Sequence, residues 1–347
     1  MGEEASIVVV HDELRRYDLP FWELLVSRGG EVVRHEWHGV APGQPYRLYS
    51  MTKPITSAAA VLLAREGALG LDEPVARHLP AFAGMRVWPG VPARSPITVR
   101  HLLQHTAGLS YGAFLDHPVD DLYRERGFGS PPRPRGLAAF VDELAELPLL
   151  FEPGTRWNYG YATDVLGRVL EVVRGAPLDE VLGELILRPL GMTETTFRPA
   201  TAVPLHHLDG RVTYTTPLEE WGFLSGGGGL VGTMRDYHRF ARWLLTTGLL
   251  RPSGDVVDLA EAAWATPTPG HYDGRLFGLG VTTWRTGGYG WSGAAGTTFA
   301  VDPWNDAIVI FLTQVLSTPY TKEITELLTS SPFPTSSETR WKETRNT

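Results

Sequence analysis

Cysteine is absent from the chain's 347 residues. That one absence removes disulfides, thiolate metal sites and a cysteine nucleophile together. Long apolar runs are missing too: none approaches the roughly 18 residues that a membrane helix needs. Met1-Gly2-Glu3-Glu4 also lacks the basic-then-apolar pattern of a signal peptide. The expectation is a cytoplasmic protein with no membrane partner. Met1-Gly2 followed by Ser6 fits the bare myristoylation pattern, but two acidic residues after the glycine and no polybasic stretch argue for coincidence. Positive charge is in deficit, with 31 Lys and Arg against 39 Asp and Glu. A net charge of −8 does not attract nucleic acid without a local basic patch, so no nucleic-acid partner is expected. The one dense basic stretch, Arg133-Pro134-Arg135, lies in a proline-rich run that reads as a solvated loop.

What is present is an ordinary globular balance, 43% hydrophobic against 20% charged, enough for one large domain or two intimate ones. Trp22 to Val26 and Glu31 to Trp37 alternate around Arg28-Gly29-Gly30, which predicts a β-hairpin. Helical periodicity follows at Thr52 to Glu66, closed by Gly67, and at Thr98 to His105, Leu137 to Leu147, Ala162 to Arg174 and Leu178 to Arg188. Thr233 and Asp236 predict a capping box opening a helix to Leu245. Strand patterns return at Phe277 to Trp284, Thr297 to Val301 and Ala307 to Thr313, with a last helix at Lys322 to Leu328.

The expected fold is therefore α/β (α+β): a mainly antiparallel sheet built from both chain ends, flanked by helices, with a helical lobe inserted after the first third. The expected boundaries are 1–80 with 205–329 for the sheet domain, 81–204 for the lobe, and a disordered tail over 330–347. No internal repeat is visible.

Ser50-Met51-Thr52-Lys53 is the only Ser-x-x-Lys, and it falls where the hairpin region hands over to the first strong helix. Residues three apart share a helix face, so the Lys53 ammonium can reach the Ser50 hydroxyl, while free N–H groups and positive dipole at the helix start favour developing negative charge. Alone, the pattern is more often a plain helix start with a capping serine and a solvated lysine. An unperturbed lysine is protonated at pH 7, so something must adjust it, and a tyrosine at a loop-to-helix junction could share the proton. Phe151 to Tyr159 supplies Tyr159 ahead of the Ala162 helix, although a buried aromatic with a satisfied hydroxyl would look the same. Gly290-Trp291-Ser292-Gly293-Ala294 opens the C-terminal strands, and its glycines permit close backbone approach to a ligand. The Ala294 N–H, with that of Ser50, is the candidate oxyanion pair.

With these residues in hand, the chain resembles the serine β-lactamase and penicillin-binding protein superfamily, and within it the class C β-lactamase-like esterases called family VIII carboxylesterases. The likeness runs through Tyr46 to Pro54, Leu102 to Leu109, Pro153 to Trp157, Ser225 to Leu230, Trp291-Ser292-Gly293, Val301-Asp302-Pro303 and Thr313-Gln314. It implies a β-lactamase/transpeptidase-like fold, Ser50 as acylated nucleophile, Lys53 and Tyr159 as proton-handling pair, and no metal or cofactor. Two departures matter. Tyr159-Gly160-Tyr161 stands where β-lactamases have Tyr-x-Asn, and Trp291-Ser292-Gly293 stands where they have Lys-Thr-Gly. The amide and the cation that would hold a β-lactam are missing, while an aromatic wall of Trp291 and Tyr161 beside Gly293 suits neutral acyl or aryl esters.

Other signals are weaker. Gly108-Leu109-Ser110-Tyr111-Gly112 matches a nucleophile elbow but lacks the preceding strand. His35-Glu36-Trp37-His38 is one residue short of a zinc motif and lies on a strand pattern. Ser225 to Gly232 lacks the end of a P-loop and reads as a flexible loop near the cleft. His206 and His207 have no evident carboxylate partner, and Trp157, Trp221 and Trp284 are equally wall or packing residues. The expected activity is hydrolysis of small-molecule carboxylic esters through acyl-Ser50. The alternatives are acyl transfer, a β-lactamase or D-amino-acid-peptidase-like reaction on the same chemistry, or a catalytically dead sensor. Oligomeric state is not readable.

Overall fold

In the computed structural model, residues 19–113, 117–128, 136–207, 209–214, 223–252, 254–264, 275–283 and 288–316 are described. The expected Lys322 to Leu328 helix, the tail, Arg133 to Arg135, Trp221 and Trp284 lie outside them. The opening hairpin forms as β1 (Trp22–Arg28) and β2 (Glu31–His38), turned by Gly29 and Gly30 at φ +57° and +89°, which only glycine adopts at little cost. β1 is buried on both faces and β2 is largely exposed.

The chain then makes β3 (Tyr46–Arg47), which pairs with β4 (Val231–Gly232). Later come β5 (Val257–Asp258), β6 (Leu276–Phe277), β7 (Thr282–Thr283), β8 (Tyr289–Gly293), β9 (Thr297–Asp302) and β10 (Ala307–Leu312). The main sheet runs β2-β1-β10-β9-β8-β7-β6-β5 and is antiparallel throughout. β1 pairs with β10, Glu23 opposite Leu312 and Arg28 opposite Ala307, so the sheet is assembled from both ends of the chain as expected.

Helix α1 (Thr52–Arg65) is buried along nearly its whole length, and its small Ala58-Ala59-Ala60 stretch admits close neighbours. In the middle of the chain are α2 (Val99–Leu103), α3 (Pro118–Glu125), α4 (Leu137–Leu144), α5 (Ala162–Arg174) and α6 (Leu178–Leu182). Helix α5 has the expected bounds because Gly175, in the left-handed conformation, ends it. Three others are shorter than their periodicity: α2 stops where His105 takes φ +55°, α4 ends at Leu144, and α6 passes into a π turn over Gly183–Leu187. Helix α3 carried no sequence signal strong enough to be expected.

Helix α7 (Met234–Thr247) packs on β9 and β10. Thr233 accepts the Asp236 N–H at 3.3 Å. The Asp236 carboxylate does not return the bond as a capping box would. It accepts the Glu194 N–H, the Thr195 hydroxyl and Arg239 instead, joining α7 to the Glu194-Thr195 segment. One continuous hydrophobic core includes side chains of α1, α4, α5, α7 and β9, and a smaller one lies on the other side of β1 and β10.

Candidate active site

Ser50 ends an abrupt approach. Tyr49, a non-glycine residue, sits at φ +46°, an uncommon conformation that persists only where its surroundings impose it. Those surroundings are visible: the Leu48 N–H donates to the Leu230 carbonyl at 2.9 Å, the Leu230 N–H to Thr52 Oγ1 at 3.1 Å, and the Tyr237 hydroxyl to the Met51 carbonyl at 3.0 Å. A short 3-10 turn, Tyr49–Met51, then feeds α1. One turn on, Lys53 is 1% exposed. Its Nζ donates to Ser50 Oγ at 3.2 Å, to the Tyr111 hydroxyl at 2.8 Å and to the Gly227 carbonyl at 2.7 Å. Three donors meet three acceptors, the arrangement of a satisfied ammonium.

Two tyrosines, not one, lie against Lys53. The phenol hydrogen-bonded to Lys53 is that of Tyr111, not Tyr159. Tyr159 lies with its ring 4.7 Å from Lys53 Nζ, and its oxygen accepts the Trp291 indole N–H at 3.2 Å. Burial, then the neighbouring Tyr159, Asp164 and Tyr161, push the Tyr111 phenol well above its usual range, so it stays protonated. Sequence reading missed Tyr111 because it sits inside the elbow-like motif, 58 residues from Lys53.

Tyr161, expected to face substrate, is 6% exposed and donates its hydroxyl to the Phe128 carbonyl at 2.8 Å. Its ring meets Tyr111 edge-on at 4.5 Å, so it backs the site rather than lining it. The partly exposed aromatics of the site are Tyr159 and Trp291, 5.4 Å apart, and behind them are buried Trp157, stacked on Tyr159 at 6.2 Å, and Phe277, 5.2 Å from Trp291. His105 is buried with these, 4.9 Å from Tyr159. Burial and the Lys53 charge hold His105 well below its ordinary pKa, and hence neutral.

Gly293 ends β8 against the serine turn: a Cβ there would stand 2.5 Å from the Leu48 carbonyl. Ala294 follows in an exposed turn beside that contact. The Ser225 to Gly229 segment, expected to be flexible, is packed between α1 and α5. Thr56 donates to the Gly226 carbonyl at 2.8 Å, and Asp164 Oδ1 accepts from Ser225 Oγ at 2.6 Å and from the Gly227 N–H at 3.1 Å. Its glycines allow close approach rather than motion.

The remaining candidates lie elsewhere. Ser110 is 2% exposed, follows a helix rather than a strand, and donates to Asp120 at 2.5 Å. His35 is bonded to Glu23 at 2.8 Å, and His207 to Thr213 at 2.8 Å. His206 lies edge-on to Phe21.

An antiparallel sheet built from both chain ends, with a serine and lysine one turn apart where the chain enters α1, is the arrangement of a β-lactamase/transpeptidase-like fold. The chain belongs to the Beta-lactamase family, which matches residues 10–329. It is 33% identical to Protein Rv1367c of Mycobacterium tuberculosis, over 78% of this chain and 77% of that one. It is 36% identical to Esterase EstB of Burkholderia gladioli, over 58% and 54%. Among solved structures, EstCE1, a hydrolase with promiscuous acyltransferase activity, superposes with a TM-score of 0.76 at 25% identity, covering 95% of this chain and 98% of its own.

Proposed function

We infer that this member of the Beta-lactamase family is a serine esterase acting on small-molecule carboxylic esters, with Ser50 as its nucleophile. The observation that carries the reading is the 3.2 Å contact between Lys53 Nζ and Ser50 Oγ inside an aromatic site. Ser50 Oγ attacks the ester carbonyl carbon, and its proton passes to the Lys53 and Tyr159 pair once that pair has released one to solvent. The N–H groups of Ser50 and Ala294 hold the oxyanion. The carbon–oxygen bond to the alcohol then breaks, and the pair returns the proton to the leaving oxygen. Water attacks the acyl-serine and gives its proton to the pair, the acid leaves, and Ser50 regains its hydrogen.

Substrate preference follows from Trp291. Where a β-lactamase would carry a lysine, a neutral indole N–H meets the Tyr159 oxygen, so that position offers an anionic substrate no cation and offers a flat apolar surface to an acyl or aryl group. The test is hydrolysis of a short-chain p-nitrophenyl ester series with a chromogenic cephalosporin alongside. Ser50→Ala loses turnover and Ser110→Ala keeps it, with esters preferred. Loss confined to Ser110→Ala would overturn the assignment. The name of EstCE1 favours a second reaction of the same acyl-serine, transfer to an added alcohol, which would appear as a new ester product.

A further inference from the structure

The mechanism above makes no use of a carboxylate buried within reach of its lysine. Asp164 is 2% exposed on the first turn of α5 and is sealed from water, as Lys53 is on α1. A buried charge without compensation is costly, and the two face each other across a single glycine. Gly227 gives its N–H to Asp164 Oδ1 and its carbonyl to Lys53 Nζ, at 3.1 and 2.7 Å. Ser225 Oγ donates to the same Oδ1. The fit leaves no slack, since a Cβ on Gly227 would stand 2.5 Å from Asp164 Oδ2.

We propose that Asp164 is the positioning residue that keeps Lys53 charged and aimed at Ser50, acting through the Ser225–Gly227 turn and so setting the pH at which the serine is activated. This rests on the reading of Lys53 as proton carrier. The titratable groups facing this pair are His105 and Tyr111 from the segment after α2, and Tyr159 and Tyr161 from the start of α5. His105 is neutral and Tyr111 protonated, so among these groups Asp164 is the source of negative charge. Burial pushes the Asp164 carboxyl up, and the Lys53 charge with the Ser225 and Gly227 hydrogen bonds pulls it back. An anion beside a proton carrier holds the proton on; removing the charge lets it leave at lower pH.

Asp164→Asn keeps an oxygen for Ser225 and Gly227 and removes only the charge. The acid limb of its kcat/KM profile for p-nitrophenyl acetate is expected to move down by about one pH unit. Asp164→Glu, which keeps the charge, leaves the limb in place. A limb that stays put in Asp164→Asn would reduce Asp164 to a loop anchor and overturn the proposal. A thermal-unfolding cycle at pH 8 reads the same coupling without turnover. Lys53→Met is expected to lower Tm, and Lys53→Met with Asp164→Asn to recover part of it, a comparison that does not need the Asp164→Asn single variant to fold. A double variant no more stable than Lys53→Met would also overturn it. Failure of Ser50 as nucleophile is read separately, by activity surviving in Ser50→Ala.

Discussion

Tyr111 and Tyr159 both lie against Lys53 and are hydrogen-bonded to each other, but it is the Tyr111 hydroxyl that meets the lysine. Tyr111 accepts from Lys53 with a phenol that its surroundings keep protonated, so its part is to hold the ammonium. Tyr159 accepts the Trp291 indole N–H and is the phenol assigned above to proton handling. Their phenylalanine variants should therefore differ. Tyr159→Phe is expected to lower kcat by about a hundredfold or more, the range of a lost acid–base group, with little change in KM. Tyr111→Phe is expected to lose only about tenfold, the scale of one misplaced hydrogen bond. Steady-state kinetics on one p-nitrophenyl ester decides it, and a larger loss in Tyr111→Phe would exchange the two roles. Ser110 belongs to a different order of effect. Its hydroxyl serves the buried Asp120, so Ser110→Ala is expected to cost about 1–3 kcal/mol of stability with turnover retained, seen as a lower Tm.

At the scale of elements, what could be read in advance was what a local pattern encodes. The hairpin, α1 and α5 follow from alternation, periodicity and terminating glycines, and the contact of Ser50 with Lys53 from a spacing of three across the turn that enters α1. What could not be read depends on distant packing. Tyr111 reaches Lys53 over 58 residues and Asp164 reaches Gly227 over 63, and no local signal marks either pairing. Strand β5 is two residues, too short for alternation to show, and the one strand expected over Phe277 to Trp284 is broken into β6 and β7, which pair with each other through a turn. The Ser225 turn was misread for a related reason, because composition cannot separate glycines that grant motion from glycines that grant proximity. Gly227→Ala tests the distinction. A mobile loop would tolerate the methyl group, whereas the packed turn is expected to lose about 1–3 kcal/mol of stability, as overfilled sites do, together with most of its esterase activity. Tm and turnover measured on the same preparation check both.

Across the whole molecule, the joint between the two ends of the chain carries its own pH dependence. His238 on α7 is hydrogen-bonded to Ser27 on β1 at 2.9 Å, at the β1 strand that receives β10. Burial, then Arg242 and His35, push its pKa down to about 4. In the unfolded chain an ordinary histidine titrates near 6.5. Between those values the unfolded state holds a proton that the folded state does not, so stability is fully present above about pH 6.5 and is lost as the pH falls toward about 4. His101 and His105, also held down by burial, act in the same direction. Asp164, held up, opposes them, since the folded state then takes a proton more readily as the pH falls. Melting from pH 7.5 to 4.5 is therefore expected to show Tm declining below about 6.5. His238→Gln retains a hydrogen-bonding group for Ser27 but cannot titrate, and should flatten that decline. Parallel curves for the two proteins would place the acid sensitivity in His101 and His105 and remove it from the joint.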